Sequence, residues 1–385
     1  QAFKFSAQIK IDRHITIYIL HPPLNAIIPR KFSATNQHMP HPRRSSRLKG
    51  KEAAAKAAEE ARYTRQKKRR EIRCVLPPSP LNDVHSTVCG VWSDNSKLQL
   101  EAISHLLNLV SLEDNPLTDE VVENEVVHRL VEFLARTDYP ELQCKAACVL
   151  KNMAAGTSEN TKIVVDSGAV PVFVKLLQST ELYEQAAWAL GNISGDSHGC
   201  RDVVLNNGAL QPLLTLLKEH THLSFLRIGT WASSNFLEGK PEVPPEQLES
   251  AIPILSSVIL TEDELVLKEV CWALFYLSKF GGGIETTMFE AGLCDKITTI
   301  FRYVPSTVLF PAVRALKCIV KGTKKLDERA IEVHLRLIRV YRKDSTSCIL
   351  NEAHDIRCFL DNRMSSIVNG VKDDYRKKAR LAQDV

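Results

Sequence analysis

Apolar side chains recur at three- and four-residue intervals along most of this chain, beginning near Asn95. That spacing lays one apolar stripe along an α-helix. The helical text also repeats itself. Trp188, Trp231 and Trp272 stand 43 and 41 residues apart. Two of them have asparagine four residues on, in Trp188-Ala-Leu-Gly-Asn192 and Trp231-Ala-Ser-Ser-Asn235, and the third has tyrosine, in Trp272-Ala-Leu-Phe-Tyr276. Forty residues before Trp188 comes Cys148-Val-Leu-Lys-Asn152, and 42 after Trp272 comes Arg314-Ala-Leu-Lys-Cys318. A second feature keeps the same step: Ala169-Val-Pro171, Ala209-Leu-Gln-Pro212 and Ala251-Ile-Pro253 each open an apolar helix.

A period near 42 with about three helices per unit predicts an all-α fold, an armadillo-type α-solenoid in which stacked units form a right-handed superhelix. Six units are expected, roughly 96–137, 138–179, 180–221, 222–263, 264–305 and 306–343. No unit can bury its apolar face alone, but stacked neighbours can. Around the array, residues 1–40 read as disordered or as an extension upstream of the first methionine, Met39. Residues 41–73 read as a basic arm, 74–95 as a linker marked by Pro77-Pro-Ser-Pro80, and 344–385 as a capping segment and tail.

Charge separates arm from body. The net charge of the 385 residues is +5, but residues 1–73 hold 18 Lys/Arg against 5 Asp/Glu, and the remainder is acidic by eight. Within the arm, 51–70 is rich in Ala, Glu, Lys and Arg, so it favours a helix with no apolar face to bury, one that orders on a partner. Tyr63 is its one aromatic residue from Arg43 to Arg73, so base stacking is not indicated. Apolar runs such as Ile15–Leu20 are far shorter than the ~20 residues that cross a bilayer, and no signal-peptide core stands near the N-terminus. The ten scattered cysteines fit thiols in a reducing compartment better than a disulfide framework.

The repeat carries a chemistry. Trp and Asn at i and i+4 share a helix face, one turn apart. If units stack with a constant twist, these faces form a ladder of indoles and carboxamides along the concave surface. Each Asn offers a donor and an acceptor to an extended peptide main chain. Neighbouring indoles form slots for Lys or Arg stems, worth on the order of 0.5–2 kcal/mol each by cation–π attraction. Acidic groups beyond the slots would meet the cationic heads. This pattern predicts a reader of extended basic peptides.

The sequence resembles the importin-alpha family of nuclear import adaptors from about Val91 to Thr323. Leu98-Gln-Leu-Glu-Ala102, Gly156-Thr-Ser-Glu-Asn-Thr161, Trp188-Ala-Leu-Gly-Asn192 with Gly195-Asp196, Gly239-Lys-Pro241 and Cys271-Trp-Ala-Leu-Phe-Tyr276 carry the likeness. It implies cargo localisation signals held in the groove of the second to fourth repeats, the most selective lysine pocket at Gly156, Thr161 and Asp196. Trp188, Trp231 and Trp272 would form stem slots, and Asn152, Asn192, Asn235 and Tyr276 would hold the peptide. Arg43, Arg44, Arg47 and Lys49, with the cluster Lys67, Lys68, Arg69 and Arg70, resemble a shortened importin-beta-binding segment that could also occupy the groove as an autoinhibitor. The implied protein shuttles between cytoplasm and nucleus, with cargo and importin-beta as partners and without membrane or direct nucleic-acid binding.

Departures from the family pattern are equally specific. Cys148 stands for a Trp, Ile228 for an Asn, Lys279 for an acidic residue and Cys318 for an Asn, and no further Trp–Asn pair follows, which truncates the family's minor site. A weaker receptor, a decayed copy, or a scaffold for another extended ligand are the alternatives, with nucleic-acid binding through the arm as a further one. No Walker loop, zinc-protease motif or nucleophile elbow is present, so no enzyme and no cofactor or metal is expected. Gly281-Gly-Gly283 reads as an inter-helix turn, and Cys348, His354 and Cys358 have poor zinc spacing.

Overall fold

The computed structural model describes residues 84–110, 125–239, 242–323 and 349–362. The chain divides into residues 1–64 and 65–385, and every described residue lies in the second part. The expected arm at 41–73, including all eight of its named basic residues, therefore lies outside the described residues.

Among the described residues the helices follow one another as α1 (Val84–Trp92), α2 (Ser96–Val110), α3 (Val126–Leu134), α4 (Pro140–Ala154), α5 (Ser158–Asp166), α6 (Ala169–Leu176), α7 (Tyr183–Asp196), α8 (His198–Asn206), α9 (Leu210–Glu219), α10 (Leu223–Leu237), α11 (Pro245–Val258), α12 (Glu264–Leu277), α13 (Ile284–Glu290), α14 (Leu293–Ile300) and α15 (Ser306–Gly322). Residues 349–362 are helical as well, and no strand occurs among the described residues.

The long helices α2, α4, α7, α10, α12 and α15 form one row, each packed on the next. Behind them α1, α3, α6, α9, α11 and α14 each pack on the row helix that follows in the chain. The solenoid expected from the 42-residue period is the observed architecture. Small residues let the row close up: Ala146, Ala147, Ala186, Ala187, Ala232, Ala273 and Ala312 are fully buried. The apolar stripes meet between layers, as in α3, where Val126, Val127, Leu130, Phe133 and Leu134 are buried. Phe133, Phe173, Phe225, Phe236, Phe289 and Phe301 are fully buried along the array, so the core is spread from unit to unit, as a stacked repeat requires.

Local sequence sets the corners. Thr157, Ser197 and Asp263 accept the amides of Asn160, Cys200 and Val266 and cap α5, α8 and α12. A glycine with positive φ turns the chain from α5 to α6, α8 to α9 and α13 to α14, at Gly168 (82°), Gly208 (80°) and Gly292 (72°). A Cβ at these sites would meet nothing within 4 Å, so it is the left-handed backbone that calls for glycine.

Of the expected capping stretch 344–385, residues 349–362 are described. Ile349, Ala353, Ile356 and Leu360 are buried at helical spacing. Glu352 and Asp355 hold the Lys317 ammonium of α15 at 2.7 and 2.6 Å. Cys144, Cys148, Cys200, Cys271, Cys294, Cys318 and Cys358 are thiols.

Candidate peptide groove

The row helices carry the predicted contact residues at matching positions. In each of three helices an asparagine follows, by four residues, the position of the repeat tryptophan: Cys148 and Asn152 in α4, Trp188 and Asn192 in α7, Trp231 and Asn235 in α10. Trp272 and Tyr276 hold these places in α12.

The asparagines are engaged across helices. Asn192 Nδ2 donates to the carbonyl of Lys151 at 3.0 Å, and Asn235 Nδ2 donates to the carbonyl of Gly191 at 3.0 Å. In both cases the acceptor is the residue just before the preceding asparagine. Each carboxamide thus staples its helix to the one before, which fixes its orientation. Both side chains are partly exposed.

The tryptophans follow the same register. The Trp231 ring lies against Gly191, where an added Cβ would fall 2.9 Å from Cε3. Gly195 faces Asn235 in the same manner, with Nδ2 at 3.0 Å from a built Cβ. Trp231 and Asn235 therefore lie along one continuous face of α7, beside Trp188 and Asn192. Trp188, however, is only 9% exposed, and Lys151 Nζ sits 4.1 Å from its ring centroid. Burial lowers the pKa of that ammonium.

The expected lysine pocket is spread over three elements: Gly156 is exposed on the α4–α5 turn, Thr161 lies in α5 and Asp196 ends α7. Thr161 is 1% exposed, and its hydroxyl is 3.2 Å from the carbonyls of both Ala154 and Thr157. It satisfies the carboxyl end of α4 and stiffens the turn bearing Gly156. Asp196 is partly exposed, with the Cys200 thiol donating to Oδ2 at 3.7 Å.

Farther along, the face turns aromatic. Trp272 stacks on Tyr276 at 5.7 Å and meets Phe275 and Phe310 edge-on. Tyr276 OH donates to Glu238 Oε1 at 3.3 Å, and burial, with Glu238 beside it, pushes the phenol up. Arg314 lies over Phe275 at 4.3 Å and is 3.5 Å from Glu352. Lys279 stands 4.8 Å over Phe275. Glu269, 8% exposed, accepts from the Ser234 hydroxyl at 2.8 Å. Ile228 is 2% exposed, so it fills the core and offers a ligand nothing.

Lys151 went unrecognised at the sequence level, although its place directly before Asn152 was a usable signal. A separate cleft of about 600 Å³ lies between α6 and α9, lined by Leu177, Tyr183, Pro212 and His220 among others, and by none of the predicted residues. Among the described residues no helix is long and apolar enough to cross a membrane, and no group of three or more His, Cys, Asp or Glu side chains gathers as a metal site would require.

The armadillo/beta-catenin-like repeat family matches residues 157–195 and 240–279. Importin subunit alpha-2 of Arabidopsis thaliana is 49% identical over 225 residues, which cover 58% of this chain and 42% of that protein. Importin subunit alpha-1a of Oryza sativa subsp. japonica is 45% identical over 296 residues, covering 72% and 56%. The chain thus spans about half the length of these relatives. Among solved structures, an engineered protein aligns with TM-score 0.63 at 26% identity, covering 72% of this chain and 68% of its own. A designed armadillo-repeat protein in complex with the peptide (KR)4 aligns with TM-score 0.54 at 22% identity, covering 62% and 100%.

Proposed function

Because the chain belongs to the importin-alpha family of armadillo-repeat proteins, we propose that it is a noncatalytic nuclear import adaptor. It binds the localisation signals of cargo proteins in the Trp/Asn groove, links them to importin-beta through the basic arm at 41–73, and shuttles between cytoplasm and nucleus.

The observation that carries this reading is the repeated staple. Asn192 and Asn235 each spend a donor on the preceding helix, so their acceptor oxygens are held at a fixed interval beside the partly exposed Trp231 indole. An extended peptide has an amide donor at every residue and lysine stems that suit an indole face. Asp196, with Glu238 farther along the row, supplies charge of the right sign. In this reading Gly156 and Asp196 seat one lysine, with buried Thr161 bracing the turn beneath it, Trp231 and Trp272 hold stems, and Asn152, Asn192, Asn235 and Tyr276 hold the main chain. Lys67, Lys68, Arg69 and Arg70 compete for the same groove at the high effective concentration of a tethered segment.

The test is a titration of the full chain with a fluorescent lysine-rich signal peptide, with and without importin-beta. Binding at micromolar Kd or tighter that is lost on Asp196→Lys, and strengthened when importin-beta occupies the arm, supports the reading. Equal affinity for a scrambled acidic peptide, or indifference to Asp196→Lys, removes it.

A further inference from the structure

The residue before the repeat asparagine decides what the next tryptophan rests on. In α7 that residue is Gly191, and the Trp231 ring fills the space above it. In α12 Tyr276 takes the asparagine's place and Phe275 precedes it, and Arg314 stands in α15 where the next tryptophan would, its guanidinium over the Phe275 ring at 4.3 Å. In α4 it is Lys151, whose ammonium lies 4.1 Å from the centroid of Trp188 in α7. A cation of the chain itself thus makes, on Trp188, the contact that a basic ligand side chain would make.

The wall on the other side of that slot is also missing. Cys148, one turn before Asn152, stands where a second indole would stand, and a thiol has neither the area nor the quadrupole to hold an incoming stem. Trp188 is the most covered of the three repeat tryptophans, at 9% exposed, whereas Trp231 and Trp272 remain partly open. The covering side chain is anchored by its own backbone, since the Lys151 carbonyl accepts from Asn192.

We propose that Lys151 is a built-in occupant of the Trp188 slot, so that an extended basic peptide seats its lysines toward Trp231 and Trp272 and reaches Trp188 only by displacing Lys151. This inference rests on the proposed function and refines it: the chain selects ligands with a shorter basic segment than a fully open row of slots would take. Lys151 acts as a specificity-determining residue, and its effect is to weaken binding. Removing its side chain opens the slot while leaving the Asn192 staple in place, because that bond goes to the main chain.

Titration of the full chain with a fluorescent Lys-Arg octapeptide, alongside acrylamide quenching of tryptophan emission without ligand, tests this. Lys151→Ala is expected to bind about tenfold more tightly than wild type, with increased quenching as Trp188 is uncovered. Lys151→Met keeps a linear side chain on the ring and Lys145→Ala removes one charge from the same helix. Both are expected within about threefold of wild type and without the rise in quenching. Equal gains in all three variants would reduce the effect to net charge and overturn the proposal, as would unchanged quenching in Lys151→Ala. If quenching rises as expected but no form binds the peptide, Lys151 covers Trp188 while the groove reading itself fails.

Discussion

Gly191 of α7 lies beneath the indole of Trp231, close enough that a methyl group there would fall inside the ring's van der Waals envelope. The contact passes between two units and fixes how α10 sits on α7. Gly191→Ala gains helix propensity but must push the ring aside. A net destabilisation of about 1–3 kcal/mol is expected, read as a lower midpoint in urea unfolding. Gly199→Ala, in α8 where an added Cβ meets nothing, serves as the contrast and should stabilise by about 0.4–1 kcal/mol.

The staple makes a second prediction with two readouts. Asn235→Ala removes the donor to the Gly191 carbonyl and the acceptor proposed to meet a peptide amide. The lost hydrogen bond is expected to cost about 0.5–1.5 kcal/mol of stability. Peptide binding should weaken beyond what unfolding explains, measured where both proteins are fully folded by circular dichroism. Asn235→Asp keeps the size and an acceptor but cannot donate; it should lose the staple while retaining much of the binding to a cationic peptide. Equal binding by all three proteins would place Asn235 outside the ligand contact.

Much of the fold was legible in the sequence, and the reason is periodicity. A 3.6-residue apolar rhythm inside a 42-residue repeat constrains helices and their stacking together, so the row from α2 to α15 followed from Trp188, Trp231, Trp272 and their partners. The turn glycines Gly168, Gly208 and Gly292 stand at the same point of the repeat and could have been added. What the rhythm does not carry is contact between side chains some 40 residues apart. That Asn192 donates to Lys151 and that Lys151 folds onto Trp188 depend on rotamers chosen across units. The helix at 349–362 was hidden for another reason: it lacks the Trp–Asn pair, and its link to α15 is ionic, through Lys317.

Asp263 joins two units and one helix end, which makes it sensitive to pH. Its carboxylate caps α12 through the Val266 amide and pairs with Arg227 of α10 at 2.7 Å. Burial alone would raise its pKa, but the Arg227 hydrogen bond and the capping amide outweigh it and hold the pKa below the usual carboxylate range. A carboxylate depressed on folding stabilises fully above its unfolded pKa, about 3.9, and this contribution is lost as pH falls through the lower folded value. Asp263→Asn keeps a capping oxygen without the charge. The stability gap between wild type and Asp263→Asn should be constant near neutrality and shrink as pH drops below about 4. A gap that does not change from pH 7 down to the acid transition would mean the ion pair contributes nothing.

Cys144 and Cys148 lie one turn apart on α4. The neighbouring Cys144, with Lys151 and Lys145 adding to it, outweighs burial and holds the Cys148 thiol below the usual thiol range, while Cys144 is pushed up. The thiolate is the nucleophile, so Cys148 should be the first of the described free cysteines to react with iodoacetamide at pH 7. Its rate should level off at a lower pH than that of an ordinary thiol. Cys271, fully buried and pushed up by that burial, should stay unmodified in the folded chain. Cys144→Ser removes the neighbouring thiol, and Lys151→Ala removes a neighbouring charge, so each should move the midpoint of the rate profile upward. Peptide mapping by mass spectrometry after timed alkylation reads all four outcomes. A Cys148 that reacts no faster than Cys318 at pH 7, with a rate still climbing at pH 9, would show that neither Cys144 nor the lysines stabilise its thiolate.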